Sequence, residues 1–185
     1  MKKALVLAGS RGIGKGIADS LRGINIEVDI TSSKILDTSN IEMVKNFLID
    51  SGDYDILVLN TGGPAAKDFM SISEGEWNKY HNQLFLSFCL IVQNIKINNG
   101  GYIFLISSFN IKEPDSKLIL SNAYRVAFSS VFKSLSKMYA ERSVSCVNIA
   151  PGPIKTDRLM GLVDDMDKFE KTLPMGRAGT TKEIG

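Results

Sequence analysis

The chain has 185 residues, of which 44% are hydrophobic and 23% charged, and this composition is that of an ordinary folded protein. It excludes intrinsic disorder and collagen-like repeats, and 22 basic against 20 acidic side chains predict no nucleic-acid or membrane surface. No apolar run approaches the ~20 residues that a membrane span needs, and two cysteines among apolar neighbours, Cys89 and Cys146, predict reduced thiols, a cytoplasmic location and no metal site.

Short aliphatic segments alternate along the chain with segments of helical periodicity. The aliphatic segments are typical of parallel strands that helices cover on both faces, and they lie at residues 4–8, 24–30, 56–60, 101–107 and 144–150. The helical segments lie at residues 13–21, 41–49, 74–94 and 121–141, with a charged surface helix at 164–171. This alternation predicts one α/β domain over residues 1–185, a Rossmann-like doubly wound parallel sheet. Because residues 182–185 look like the start of a helix, we expect the C-terminal strand of such a fold to be missing from this sequence.

The first strand runs into a glycine-rich turn, Ala8-Gly9-Ser10-Arg11-Gly12-Ile13-Gly14, and then into helix-forming residues. Glycines at a strand-to-helix turn let the backbone approach a pyrophosphate, which binds at the positive N-terminus of the helix. Alone, the motif is almost equally well explained by a tight turn that binds nothing.

Four further motifs follow this turn in order. They are Leu36-Asp37-Thr38, Asn60-Thr61-Gly62-Gly63, Ile106-Ser107-Ser108, and the stretch from Val147 to Asp157 that contains Pro151-Gly152-Pro153. With its spacing, this set resembles the short-chain dehydrogenase/reductase family over essentially the whole chain. The resemblance implies hydride transfer between a nicotinamide cofactor and a small carbonyl or alcohol substrate.

The resemblance also implies which residues hold the cofactor. Gly12 and Gly14 match the second and third glycines of the family's turn, and Ala8 takes the place of the first. The residues expected to bind the cofactor are Ala8, Ser10, Arg11, Gly12, Ile13, Gly14, Ser32, Ser33, Lys34, Asp37, Thr38, Asn60, Thr61, Gly62, Pro151, Gly152, Ile154 and Thr156. Asp37 resembles the residue that bonds the adenine amino group, although it could equally cap the helix at residues 41–49.

The charges near the second strand favour NADP(H) over NAD(H). Thr31-Ser32-Ser33-Lys34 carries no acidic residue to bind a ribose 2′-hydroxyl, whereas Lys34 and Arg11 would attract a 2′-phosphate. NAD(H) remains the alternative, because Asp29 would select it if the strand were shifted by three residues.

The expected catalytic positions depart from the family pattern. In the family, a serine orients the substrate carbonyl, a tyrosine thirteen residues later donates the proton, and a lysine four residues further lowers the pKa of that tyrosine. Ser108 fits the serine, but Ser121 and Arg125 stand at the other two positions, and no Tyr-x-x-x-Lys occurs. Tyr124 is a substitute donor if its side chain turns toward the cofactor, and a packing residue otherwise. The family's helix asparagine falls on Leu84, with Asn82 nearby.

Three functions therefore stay open. The leading one is an NADP(H)-dependent oxidoreductase with atypical catalytic residues. The rival is a catalytically silent NAD(P)-binding module, a sensor or partner subunit, and a methyltransferase on a similar sheet is a weak third because it would not explain residues 151–157. The resemblance further implies a homodimer or homotetramer that pairs through the helices at 74–94 and 121–141, whose wide apolar stripes include Phe85, Phe88, Phe128 and Phe132.

Overall fold

Five parallel strands form one sheet in the order β2-β1-β3-β4-β5 in the computed structural model, which describes residues 1–185. The strands are β1 (Lys3–Val6), β2 (Glu27–Ile30), β3 (Tyr54–Leu59), β4 (Ile97–Ile106) and β5 (Ser145–Ile149). The chain order reverses direction at β1, so the carboxyl ends of β1 and β3 border the crevice where open α/β sheets bind ligands. The predicted Rossmann-like doubly wound sheet is confirmed.

Helices connect the strands and cover both faces of the sheet. They are α1 (Gly12–Gly23), α2 (Ile41–Ile49), α3 (Glu74–His81), α4 (Ser87–Asn94), α5 (Ile119–Ala140), α6 (Asp157–Met160) and α7 (Met166–Glu170). Short 3-10 turns lie at Phe69–Ser71, Phe109–Ile111 and Thr181–Glu183. None of these helices has the length and apolar content needed to cross a membrane.

The sheet divides the buried apolar residues into two layers, because successive side chains of a strand point to opposite faces. Leu5 and Leu7 face the larger layer, which includes Phe88 of α4 and Phe128 of α5 with ring centroids 5.2 Å apart. Ala4 and Val6 face the smaller layer together with residues of α1. The predicted stripes of α4 and α5 are therefore largely core.

Several predicted boundaries were wrong for local reasons. The second strand begins at Glu27 rather than at residue 24, because α1 extends to Gly23 and the chain then turns through Asn25 at φ 60°. β4 begins four residues early, at Ile97, and accommodates Gly100 at φ 75° beside a register shift against β3. The predicted continuous helix at 74–94 contains a π-helical turn, Asn82–Leu86, between α3 and α4.

Candidate active site

The turn between β1 and α1 is compact and depends on its glycines. Gly12 has φ 55°, and Ala8, at the position of the family's first glycine, has φ 48°. A Cβ on Gly14 would lie 2.3 Å from the Ala8 carbonyl oxygen and 2.8 Å from Asn60 Nδ2. Asn60 Nδ2 donates to the Leu7 carbonyl at 3.2 Å, so the ends of β1 and β3 are joined directly beneath the turn.

The N-terminus of α1 offers free backbone amides to an anion. Arg11 stands at its N-cap position and makes no side-chain cap, whereas Asn40 caps α2 and Ser73 caps α3. The first amides of a helix lack intrahelical acceptors, and the helix dipole makes this end positive. A polar cavity of about 240 Å³ adjoins it, and its lysines, Lys15 and Lys155, are paired with Asp19 and Glu170. The cavity is lined by Gly12, Lys15, Gly16, Asp19, Lys155, Thr156, Asp157 and Thr181. These features fit a dinucleotide pyrophosphate.

The end of β2 carries hydroxyls and a lysine, as the sequence predicts. Thr31 Oγ1 accepts a hydrogen bond from the Ala8 amide at 3.0 Å, which places this segment against the glycine turn. Ser33 and Lys34 are exposed, and neither Lys34 nor Arg11 forms an ion pair.

The carboxylate of Asp29 is directed away from this end of the strand, which removes the alternative strand register. Asp29 is the second-to-last residue of the edge strand β2, where it pairs with Leu5, and its carboxylate binds Lys3 Nζ at 2.9 Å and accepts from the Tyr54 hydroxyl at 3.0 Å. Lys3 and Tyr54 begin their strands, so this carboxylate faces the amino edge of the sheet, away from the glycine turn.

The next two motifs meet at the edge of β3. Thr38 Oγ1 lies 2.9 Å from Thr61 Oγ1, which brings the segment after β2 to the turn after β3. Asp37 is not the cap of α2, a role that Asn40 takes; its Oδ1 accepts from the amide and hydroxyl of Ser39. Ser32 lies beside them, half-buried, and its carbonyl accepts the Leu36 amide at 2.8 Å.

The fifth motif lies across the crevice. The Pro151 carbonyl accepts the Phe109 amide at 3.0 Å, and Thr156 caps α6 by accepting from the Leu159 amide. A Cβ on Gly12 would lie 3.7 Å from the Thr156 methyl group, so the first and last motifs converge. Ile154 pairs with Gly179, while Gly152, Ser10 and Gly62 are exposed, and Ile13 is half-buried.

Ser108 and Ser121 keep hydroxyl protons that they could donate. Ser108 Oγ accepts from the Asn110 amide at 3.2 Å, and Ser121 Oγ accepts from Arg125 Nε at 3.1 Å. A hydroxyl carries one donor as well as its acceptor lone pairs, so both groups can still donate to a substrate or water.

Arg125 binds the carboxyl ends of two strands at once. Its Nη1 donates to the carbonyls of Ile106 and Ser107 at 3.0 and 3.3 Å, and its Nη2 donates to the Thr61 carbonyl at 3.4 Å. Burial and the nearby charge of Arg158 lower the pKa of Arg125 to about 10. It therefore stays protonated at neutral pH, and most of its donors are occupied by backbone.

The Tyr124 side chain packs against α3. Its hydroxyl donates to the Trp77 carbonyl at 3.1 Å, and its ring packs edge-on against Trp77 and His81, with centroids 6.0 and 5.7 Å away. Burial raises the pKa of its hydroxyl. This geometry favours the packing role that the sequence left open, so Tyr124 is not assigned to the site.

Sequence reasoning missed two polar residues that reach the turn after β3. Gln83 Nε2 donates to the Gly62 carbonyl at 3.2 Å, because the π-helical turn presents this residue instead of Asn82, while Leu84 is buried. Arg158 Nη1 and Nη2 donate to the carbonyls of Gly63 and Pro64 at 2.7 and 2.9 Å. The available signal for Arg158 was its place two residues after Thr156, at the carboxyl end of the last motif.

Known proteins share both the sequence pattern and the fold. Residues 16–185 match the family model described as enoyl-(acyl carrier protein) reductase. The chain is 31% identical to the 3-oxoacyl-[acyl-carrier-protein] reductase FabG of Chlamydia muridarum, over 99% of this chain and 86% of that protein. A short chain dehydrogenase family protein of Francisella tularensis has a TM-score of 0.88 at 20% identity, over 100% and 88% of the two chains. A small-chain dehydrogenase solved in complex with NADPH has a TM-score of 0.85 at 24% identity, over 99% and 87%.

An open parallel sheet with a glycine turn before an uncapped helix defines a dinucleotide-binding domain of the Rossmann type. The chain belongs to the short-chain dehydrogenase/reductase family, and it is an NAD(P)-dependent oxidoreductase of the short-chain type. Its departures from the pattern that the resemblance predicts include Ser121 and Arg125, which stand where tyrosine and lysine are expected.

Proposed function

We propose that this protein reduces a carbonyl compound with NADPH. The observation that carries the cofactor choice is the end of β2, where Ser33 and Lys34 follow the strand. The carboxylate of Asp29 is held by Lys3 and Tyr54, and that of Asp37 accepts from Ser39. A 2′-phosphate would meet Lys34 and Arg11 there. The opposite reaction, alcohol oxidation with NADP⁺, uses the same residues.

NADPH is therefore expected to bind more tightly than NADH at low salt. Replacing Arg11 by Ala should remove a charge-assisted hydrogen bond and weaken NADPH binding by about 1–3 kcal/mol while leaving NADH binding unchanged. Titration of cofactor fluorescence measures both affinities. Arg22→Ala, at the far end of α1, is the matched control, and equal affinity of the unmodified protein for the two cofactors would contradict the proposal.

Ser108 is the residue placed to polarise the substrate. Its hydroxyl accepts from the Asn110 amide and can donate its own proton to the carbonyl oxygen. When bound, NADPH would supply the hydride to the carbonyl carbon and become NADP⁺, and one proton would complete the alcohol at the carbonyl oxygen. Ser121, whose Oγ is held by Arg125 Nε, can order a water molecule to deliver that proton, because an alcohol such as Ser121 is itself a weak acid at neutral pH.

The FabG relatives are named 3-oxoacyl-[acyl-carrier-protein] reductases, so a 3-oxoacyl thioester is the first substrate class to test. The experiment combines NADPH, deuterated at the transferred position, with acetoacetyl thioester and a panel of aldehydes and ketones. Deuterium in an alcohol product supports the reductase. Binding of NADPH without label transfer to any carbonyl would instead support the silent cofactor-binding module, which the occupied donors of Arg125 favour.

Self-association is the remaining expectation. Phe88, Phe128 and Phe132 are core residues with at most 3% of their surface exposed, so they cannot form the predicted interface in the way that the sequence suggests. Val126 and Met138 of α5 remain 45% and 65% exposed. We expect sedimentation at micromolar concentration to give a homodimer or homotetramer through α5 and the α3–α4 pair, and Val126→Asp to weaken it. A monomer would contradict this expectation.

A further inference from the structure

Two arginines lie side by side at the carboxyl edge of the sheet without a counter-ion. A Cβ on Gly63 would lie 3.0 Å from Arg158 Nη2 and 3.6 Å from Arg125 Nη2, so both guanidinium groups border the same point in space. Neither arginine forms an ion pair with any carboxylate of the chain. Both hold the loop after β3 only through its backbone carbonyls.

This arrangement leaves hydrogen-bond donors as well as charge. A guanidinium has five N–H groups. Arg158 uses one N–H on each of its two Nη atoms, for Gly63 and Pro64, and its remaining donors are free. Arg125 keeps one free N–H, on the Nη2 that faces Gly63. Free donors from two positive groups therefore point to the same region.

Holding two like charges together has an energetic cost that a bound anion would relieve. The charge of Arg158, together with burial, already lowers the pKa of Arg125. Partial burial of the Arg158 guanidinium also lowers its pKa, although the residue as a whole is exposed to solvent. Carbonyl dipoles compensate only part of a guanidinium charge, whereas a carboxylate can pair with its planar fork through two hydrogen bonds.

The two arginines lie where a substrate would have to sit. Arg125 donates to the carbonyls of Ile106 and Ser107, so its guanidinium contacts the backbone just before Ser108, at the end of β4. Arg158 follows Thr156 by two residues and connects α6 to the loop after β3, on the far side of the crevice. An anion between them would lie at the Nη2 end of the Arg125 guanidinium, whose Nη1 end contacts the backbone next to Ser108.

We propose that the substrate is an oxo acid whose carboxylate binds Arg158 and the free Nη2 donor of Arg125, which positions its carbonyl at Ser108. This inference rests on the proposed function and narrows it to one substrate class. The same pair of arginines could instead meet a phosphate of the cofactor. A substrate carboxylate and a cofactor phosphate would bind the arginines through the same anion chemistry, and variants of Arg158 distinguish the two.

The first arm compares 2-oxo and 3-oxo acids with their neutral methyl esters and with a neutral acetoacetyl thioester, using NADPH. The acids are expected to have a KM at least about tenfold lower than the esters, a difference that shrinks as salt is added. Esters or the thioester reduced as well as the acids would overturn the inference while leaving NADPH-dependent reduction intact.

The second arm uses variants of Arg158. Arg158→Gln should raise the KM for the oxo acid about tenfold or more, leave the KM for its ester unchanged, and leave NADPH affinity unchanged. Arg158→Lys should recover part of the loss, because lysine keeps the charge but not the planar fork. Arg22→Gln is the control. If Arg158→Gln instead loses NADPH affinity, and the turnover of acid and ester falls by the same factor, the arginines bind the cofactor and the inference is overturned.

The third arm does not need turnover. Malonate, a dicarboxylate that cannot be reduced, is titrated into the protein saturated with NADPH, and the cofactor fluorescence is followed. Saturable binding that Arg158→Gln abolishes supports the carboxylate site even if no carbonyl is reduced, in which case the proposed function alone fails. Absence of malonate binding, with NADPH bound, would overturn the inference.

Discussion

Replacing Gly14 by alanine is expected to abolish NADPH binding and to lower the free energy of unfolding by about 1–3 kcal/mol or more. The added Cβ would lie 2.3 Å from the Ala8 carbonyl oxygen, and this neighbour is backbone that cannot rotate away. The turn between β1 and α1 must open to admit the methyl group. Opening moves the first amides of α1 from the position at which they would bind the pyrophosphate.

A second glycine of the same helix provides the control. A Cβ on Gly23, at the end of α1, would meet no atom within 4 Å. Gly23→Ala should therefore leave NADPH affinity unchanged, and it should stabilise the protein slightly, if at all, because alanine loses less backbone entropy in a helix. Urea unfolding and cofactor titration measure both quantities, and equal effects of the two substitutions would contradict the close approach at Gly14.

Replacing an alanine of the same turn by glycine is expected to stabilise the protein rather than destabilise it. Ala8 has φ 48°, a left-handed conformation that costs an ordinary L-residue about 1–2 kcal/mol and glycine very little. Ala8→Gly should relieve that strain, and it should bind NADPH at least as tightly as the unmodified protein. Weaker binding in Ala8→Gly would show that the Ala8 methyl group contributes to the site.

The sequence predicted the fold well because its dominant signals are local. Buried parallel strands are recognisable as short aliphatic runs such as Ile56–Leu59. The turn from Ala8 to Gly14 is recognisable by its glycines, which a close strand-to-helix turn requires. The same logic located both sides of the crevice, since the carboxyl ends of parallel strands meet at one edge. The boundaries that failed, at Glu27 and Ile97, depend on turns through Asn25 and Gly100 whose φ values no periodicity reveals.

The polar contacts of the site were less predictable because they depend on side-chain direction. Tyr124 and Ser121 lie one helical turn apart, and spacing alone could not decide that the Tyr124 hydroxyl donates to Trp77. Gln83 was missed because the π-helical turn changes which residue faces the loop after β3. Arg158 was missed because its partners are the carbonyls of Gly63 and Pro64, which carry no residue-type signal.

The double substitution Ser121→Tyr with Arg125→Lys is expected to raise kcat for carbonyl reduction on the order of 10²-fold, because a positioned general acid contributes roughly 10²–10⁴-fold. Tyrosine, with a pKa near 10 that a neighbouring ammonium lowers, is a far better proton donor than serine. The lysine must also replace Arg125 at the carbonyls of Ile106 and Ser107. The lysine ammonium has three N–H donors, so it can bind one or both of these carbonyls.

The single substitutions separate the two contributions. Arg125→Lys alone should lower stability, since an ammonium can keep only some of the bonds that the guanidinium donates to three carbonyls, and it does not supply the tyrosine acid. Ser121→Tyr alone must fit a ring where the serine is 6% exposed, beside a guanidinium that stays in place, so its gain should be smaller than that of the pair. Urea unfolding of each variant distinguishes a folded protein with slow turnover from one that has lost its structure.

Steady-state rates with the best carbonyl substrate, measured at saturating NADPH, test the mechanism itself. Ser108→Ala should lower kcat in both the unmodified protein and the double variant, because Ser108 polarises the carbonyl whichever group supplies the proton. Tyr124→Phe should change kcat little in either background, since its hydroxyl is bonded to the Trp77 carbonyl on α3. If the unmodified protein already reduces its substrate quickly and Ser108→Ala leaves that rate unchanged, the carbonyl is not held at Ser108. The proton and the substrate would then have to be handled by other residues of the crevice.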